Sequence, residues 1–197
     1  MPNTVAILLA AGESRRMGQP KALLPWQGTT LIKHQLAALR KAGAGRVIVV
    51  LGHQSGVLEQ EIQGQTGVES VLNPDYQQGK TTSIKAGLSA LDSDQAEAIL
   101  LLNVDQPRSA KTIGYLLQQH HAANALITIP EFEGQGGHPI IFSNLLLPEL
   151  LQIEEATQGI RAVVRRHREA MQRIPVTNPE VLWDLNTPEQ YEAALKG

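Results

Sequence analysis

Val5-Ala6-Ile7-Leu8-Leu9-Ala10-Ala11-Gly12-Glu13-Ser14-Arg15-Arg16-Met17-Gly18-Gln19-Pro20-Lys21 runs an unbroken apolar segment straight into a glycine-rich, cationic turn. Seven apolar residues ending at a glycine predict a buried strand, Val5–Ala11, that feeds a loop. Small residues at Ala10, Ala11 and Gly12 let a ligand lie close to the backbone. Gly12 and Gly18 can take φ > 0, so that successive N–H groups converge on an anion. Arg15 and Arg16 can grip phosphate bidentately, and Lys21 adds a point charge. The combination reads as a triphosphate cradle; the plainer alternative is a solvated loop with ordinary surface arginines.

Outward from this turn, strand-like and helix-like segments alternate. Helical spacing marks Leu31–Ala42, Val57–Ile62, Thr82–Leu91 and Thr112–His121, while apolar runs mark strands at Val47–Leu51, Val68–Leu72, Ala98–Leu102 and Ala125–Ile129. This order predicts an α/β fold: a mostly parallel sheet covered on both faces, in three layers. From Pro130 the rhythm breaks, and Glu133–Pro139 is expected to be a flexible loop. A short strand (Ile140–Phe142), helices at Leu145–Leu151 and Ile160–His167, a strand at Arg173–Val176 and a helix after Pro188 complete the pattern. Residues 1–197 suit one domain, long enough to bury about 70% of the unfolded surface.

Seventeen basic against nineteen acidic residues give a net charge of −2, so nucleic acid is not an expected partner and any phosphate affinity must be local. The absence of cysteine excludes disulfides, thiolate zinc sites and cysteine nucleophiles. No apolar stretch approaches the ~20 residues of a membrane span, and Met1-Pro2-Asn3 lacks the basic start of a signal peptide. The chain is therefore read as soluble and cytoplasmic, without membrane partners.

Ligands of open α/β sheets sit beyond the carboxyl ends of the strands, so the loops after strands carry the candidates. Asp105, in Asn103-Val104-Asp105-Gln106-Pro107, stands at the mouth of an apolar strand. It either holds Mg²⁺, which asks for one or two protein oxygens plus substrate phosphates, or makes an Asx-turn ahead of Pro107. Asp184 and Asn186 alternate with Trp183, Leu185 and Thr187, so both point to one side of an extended segment; Asn186 or Thr187 can equally cap the final helix. Gly79-Lys80-Thr81 imitates a P-loop end, but Pro74 occupies the position of the required glycine, which discounts Lys80. The Asn73–Ser83 segment instead leads into a helix N-terminus whose amides and hydroxyls can contact a base or ribose. A G-x-G-x-x-G pattern is missing, disfavouring a nicotinamide enzyme. His120-His121 reads as a favourable charge pair at a helix C-terminus, and His53 and His138 sit where they can line the crevice. No Ser/His/Asp triad or paired-carboxylate motif stands out.

Leu9–Lys21, Asn73–Leu88, Asn103–Pro107, Gly136–Phe142 and Asp184–Glu189 together resemble, in order along nearly the whole chain, the molybdenum-cofactor cytidylyltransferases. The resemblance implies a Rossmann-like nucleotidyltransferase that uses CTP and Mg²⁺ and releases pyrophosphate, with Arg16, Lys21 and Asp105 as catalytic residues. It further implies a nucleotide site of Leu9, Ala10, Ala11, Gly12, Ser14, Arg15, Arg16, Lys21, Asn73, Gly79, Ser83 and Asp105. Asp105 binds the metal with Asn186 or Asp184, and His138, Pro139 and Arg161 face a molybdopterin-type acceptor. Leu9-Ala10-Ala11-Gly12 follows the cytidylyl rather than the guanylyl pattern. Val104 replaces a common glycine, and Ala156–Arg161 keeps only Gly159 and Arg161 of the usual loop. A downstream molybdoenzyme or its insertion chaperone is the implied partner. Competing readings are transfer to a sugar phosphate or other small phosphate, and a non-catalytic nucleotide or cofactor carrier.

Overall fold

The structure, a computed structural model, describes residues 3–91 and 96–196. Its elements are β1 (Thr4–Ala10), a ribbon of β2 (Pro25–Trp26) and β3 (Thr29–Thr30), α1 (Leu31–Lys41), β4 (Arg46–Leu51), α2 (Ser55–Ile62) and β5 (Val68–Leu72). Then come α3 (Lys80–Ser89), β6 (Ala98–Asn103), α4 (Ala110–Ala123), β7 (Ile127–Phe132), β8 (Gln135–Gly136) and β9 (Ile140–Ser143). The chain ends with α5 (Leu147–Leu150), α6 (Ile160–Arg166), β10 (Met171–Pro175) and α7 (Pro188–Lys196).

The main sheet has the order β10-β7-β9-β6-β1-β4-β5, with β8 attached to β7. Along that path only β9 runs antiparallel to its neighbours, β6 and β7. Every residue of β1 is buried, as an unbroken apolar run predicts for a strand covered on both faces. Its alternate side chains divide between two cores. Ala6, Leu8 and Ala10 pack with Ile32 and Leu36 of α1, Leu58 of α2 and Ile113 and Leu116 of α4. Ile7 and Leu9 pack with Ile84 and Leu88 of α3, Leu150 of α5 and Val163 of α6. Gly87 lets α3 lie directly on the sheet, since a Cβ there would meet Ile7 Cγ2 at 2.6 Å. The expected three-layer α/β arrangement is present. Among the described residues no helix is long and apolar enough to cross a membrane.

Three expectations need correction. The segment after Pro130 is not a flexible loop: β7 continues through Pro130 to Phe132 and folds back into β8. Glu133 (φ +49°) and Gly134 (φ +79°) form a two-residue turn with both φ values positive, the geometry that matches strand twist. Pro130 lacks an N–H, yet its carbonyl accepts the Gly137 amide at 2.8 Å. His120 and His121 are not a charge pair. His120 Nδ1 bonds Thr128 Oγ1 at 2.9 Å and His121 Nε2 bonds Thr4 Oγ1 at 3.0 Å. Burial first, and His121 second, lower the His120 pKa to about 4. Finally, the left-handed residues of the cationic turn are Ser14 (φ +55°) and Gly18 (φ +66°), and not Gly12.

Candidate active site

Beyond the carboxyl ends of β1 and β6 lies a crevice of about 450 Å³. One wall is the turn after β1: Leu9 to Gly12, Ser14 and Lys21 all line it. A Cβ on Gly12 would meet no protein atom within 4 Å, so the space beside that backbone is open to a ligand. Ser14 Oγ accepts the Lys21 amide at 3.0 Å and closes the turn, so that the lysine side chain enters the crevice.

The opposite wall comes from the loop after β6 and the segment before α7. Leu185 donates its amide to the Asp105 carbonyl at 2.9 Å, which holds the two side by side. Leu185 packs with Trp26 and Leu31, with Trp183 and Tyr191 against them, while Asp184 and Asn186 line the crevice. Thr187 and Gln190 cap α7: Thr187 Oγ1 accepts the Gln190 amide at 3.3 Å, and Gln190 Oε1 accepts those of Asn186 and Thr187. Capping therefore uses the Asn186 backbone and leaves its side chain to the crevice.

The walls meet at one cation. Lys21 Nζ donates to Asp105 Oδ2 at 2.6 Å and to Asn186 Oδ1 at 2.8 Å. Two hard oxygens from segments about eighty residues apart thus converge on a positive charge. Crevice walls that displace water, and then the negative charge of Asp105, hold the Asp184 carboxyl above the ordinary aspartate range. Among the described residues no group of three or more His, Cys, Asp or Glu could hold a metal by itself. The donor set fits Mg²⁺, which binds through one or two carboxylates together with substrate phosphates rather than in an all-protein cage.

A third side carries His138, Lys80 and Arg161. Burial first, then the charges of Lys80, Arg108 and Arg161, lower the His138 pKa to about 4, so this imidazole is neutral at pH 7. Desolvation likewise draws the Lys80 ammonium below the ordinary lysine range, opposed by Asp105 and Asp184. Arg161 reaches the crevice because the preceding loop packs on α3. Glu155 Oε2 accepts the Thr81 amide at 3.0 Å, and a Cβ on Gly159 would meet Thr81 Oγ1 at 2.7 Å.

Several candidates lie elsewhere. Arg15 and Arg16 are exposed and do not line the crevice; Arg15 instead pairs with Glu13. Asn73 is buried and pins its own loop: Nδ2 donates to Thr82 Oγ1 and Ser83 Oγ, each at 2.9 Å, and Oδ1 accepts the Asp75 amide. Its side chain is spent on a turn. Gly79 and Ser83 line the crevice, but the Thr81 amide is already taken by Glu155, so this helix end is not a free anion site. Pro139 is buried behind His138, outside the lining. Lys80, discounted because its P-loop pattern is broken, lines the crevice nonetheless; its position two residues before Thr82 in a helix-opening segment was the available signal. Tyr76 also lines it, 6.2 Å from the His53 ring.

Residues 6–171 match the MobA-like NTP transferase domain. The molybdenum cofactor cytidylyltransferase of Escherichia coli (strain K12) is 32% identical over 95% of this chain and 93% of its own length. Nicotine blue oxidoreductase of Paenarthrobacter nicotinovorans is 30% identical over 99% and 98%. Among solved structures, Rv0371c of Mycobacterium tuberculosis H37Rv superposes with a TM-score of 0.84 at 25% identity, covering 100% of this chain and 99% of that one.

Proposed function

Since the chain belongs to the MobA-like NTP transferase family and is a nucleotidyltransferase, we propose that it transfers CMP from CTP to a molybdopterin-type phosphate and releases pyrophosphate. The observation that carries this reading is the single cation held between Asp105 and Asn186, beside the open backbone of Gly12.

An acceptor phosphate oxygen attacks the α-phosphorus of CTP. The new P–O bond forms as the α–β anhydride bond breaks, and the electron pair leaves on pyrophosphate. A phosphate monoester has a second pKa near ~6, so the nucleophile is already largely anionic at neutral pH and needs no strong general base. What it needs is alignment and charge neutralisation. Asp105 and Asn186, with Asp184 beside them, would hold Mg²⁺, which when bound supplies positive charge at the triphosphate. Lys21 moves from those oxygens to the β- and γ-phosphates, and Arg16 joins it as the turn closes over the nucleotide. Lys80 and Arg161 face the acceptor phosphate across neutral His138. Product then passes to a molybdoenzyme or its insertion chaperone.

Ala11 supports cytosine over guanine. It lines the crevice and is buried, and its carbonyl accepts the His53 amide at 3.1 Å, so a methyl on this fixed backbone leaves less room beside the ligand space than a glycine would. One methyl supplies at most ~1–3 kcal/mol of discrimination, a preference rather than an exclusion.

Pyrophosphate release measured with CTP, GTP or ATP, with and without a molybdopterin-type acceptor, tests the reading. Acceptor-dependent release, fastest with CTP, is expected. A GTP preference would remove the cytidylyl assignment alone. Release with a sugar phosphate in place of the pterin would change the acceptor. Turnover of nicotine blue with no pyrophosphate from any nucleotide would overturn the whole proposal.

A further inference from the structure

Arg108 follows the Asp105 loop and is 1% exposed. Burying a guanidinium is costly unless its donors are satisfied, and here they are satisfied by main-chain carbonyls. Nε donates to His138 O at 2.9 Å, Nη1 to Pro107 O at 2.8 Å, and Nη2 to Val181 O at 2.9 Å and Trp183 O at 3.0 Å. Glu180, the neighbouring acid, turns its Oε1 to the Ser109 amide and to the hydroxyls of Ser109 and Thr112 instead. Glu180, Asp184 and Asp105 act on Arg108 only through space, favouring its charge against the burial that lowers its pKa to about 9.

Those carbonyls belong to three segments that are distant in sequence and adjacent at the crevice. Pro107 follows Asp105, His138 lines the crevice itself, and Val181 and Trp183 lead into Asp184 and Asn186. The segments approach closely without Arg108: His138 donates its amide to Val181 O at 2.9 Å, and a Cβ on Gly137 would collide with the Val181 backbone. The Arg108 amide in turn donates to Gln35 Oε1 at 3.2 Å, and Gln35 Nε2 donates to Gln106 O at 2.6 Å, tying the loop to α1. A planar fork of five donors can span such a set; a lysine ammonium cannot.

We propose that Arg108 is the positioning residue of this site, clasping the Asp105 loop, the His138 loop and the Asp184–Asn186 segment into one rigid wall. The assignment of what that wall binds rests on the function proposed above. Arg108 touches no reacting atom, and its work is to fix the separation of the oxygens that meet the cation.

The test compares wild type, Arg108→Lys and Arg108→Met as full chains by hydrogen–deuterium exchange, Mn²⁺ affinity and transfer kinetics. Lysine keeps the charge and loses the fork. Both variants should lose protection at residues 103–108, 136–139 and 181–186 while β1 and β4 keep theirs. Mn²⁺ affinity should fall about 10–100-fold, as when groups supporting metal ligands are removed. Turnover should fall by about 100-fold with nucleotide KM within about threefold, the split expected of misplacement rather than lost binding. Wild-type behaviour of Arg108→Lys would show that charge alone matters and overturn the clasp, and so would protection lost equally in β1 and β4. If wild type neither binds Mn²⁺ nor transfers CMP, the functional reading fails, while the exchange pattern still decides the clasp.

Discussion

The two walls of the crevice are built differently. The wall after β1 is one continuous stretch, Leu9 to Lys21, folded by short-range bonds such as Lys21 N to Ser14 Oγ, with Arg15 and Arg16 left in solvent. The facing wall, together with the His138 loop that adjoins it, is assembled from three stretches between residues 103 and 186, locked by the Leu185 amide, by a buried arginine and by an aromatic cluster around Trp26. The first wall is held by bonds within one stretch and the second by bonds between stretches that are distant in sequence.

The largest effect should come from breaking the rigid wall. Asp105→Asn removes the one carboxylate that meets Lys21, and several kcal/mol of charge stabilisation go with it, a loss in kcat of about 10³-fold. The fold should stand, because Asp105 lies at the crevice surface and not in either core; kcat under saturating Mg²⁺ and a thermal melt check both parts.

Lys21→Met breaks the junction between the walls and should lower kcat about 100-fold, as for loss of one preorganised donor. It also gives an opposite sign elsewhere. With the ammonium gone from Asp105 and Asn186, Mn²⁺ without nucleotide should bind tighter than to wild type, whereas Asp105→Asn should bind it more weakly. Isothermal titration of both variants with Mn²⁺ separates the two roles.

Within the cations, Lys80→Ala should raise the acceptor KM about tenfold, the scale of one charge-assisted phosphate contact. Arg15→Ala should change any parameter by no more than about threefold, as expected of an exposed pair. Arg16→Ala is the sharper probe: a loss in kcat larger than for Arg15→Ala is expected if the turn after β1 brings Arg16 onto the nucleotide.

The reading from sequence succeeded where information is local. β1, β4 and β6 are apolar apart from one end residue each (Thr4, Arg46 and Asn103), and both cores follow from their alternation. Asp184 and Asn186 both line the crevice, but through a tight turn in which the Asn186 amide donates to the Asp184 carbonyl at 2.8 Å, and not through the extended segment that their spacing suggests. What failed depends on partners that the local pattern does not name, some near in the chain and some far. Nothing beside Arg108 says that its donors will meet carbonyls at His138 and Val181, nor that Asn73 will be consumed by Ser83. Lys80 was discounted because a motif was incomplete, although a crevice is lined by whatever the neighbouring loops bring to it. The β2–β3 ribbon escaped because Gln27 (φ +47°) is an uncommon left-handed residue ahead of Gly28.

The smallest effect lies away from both walls. His120 has a pKa of about 4, below its ordinary 6.5. Between those values the unfolded chain binds a proton that the folded chain refuses, so stability declines as pH falls from about 6.5 to 4. His138 adds to the same window. His120→Asn, which can keep a bond to Thr128, should melt lower at pH 7 and show a shallower loss of Tm on acidification.

The most direct measurement follows the label. CTP carrying ³²P at the α-position is incubated with Mg²⁺, the chain and a molybdopterin-type acceptor, in parallel with CTP labelled at the γ-position. Nucleotidyl transfer requires the α-label to appear in the acceptor and the γ-label in pyrophosphate, in equal amounts and only when the acceptor is present. Label from the γ-position in the acceptor, or no transfer of α-label to it, would contradict that chemistry.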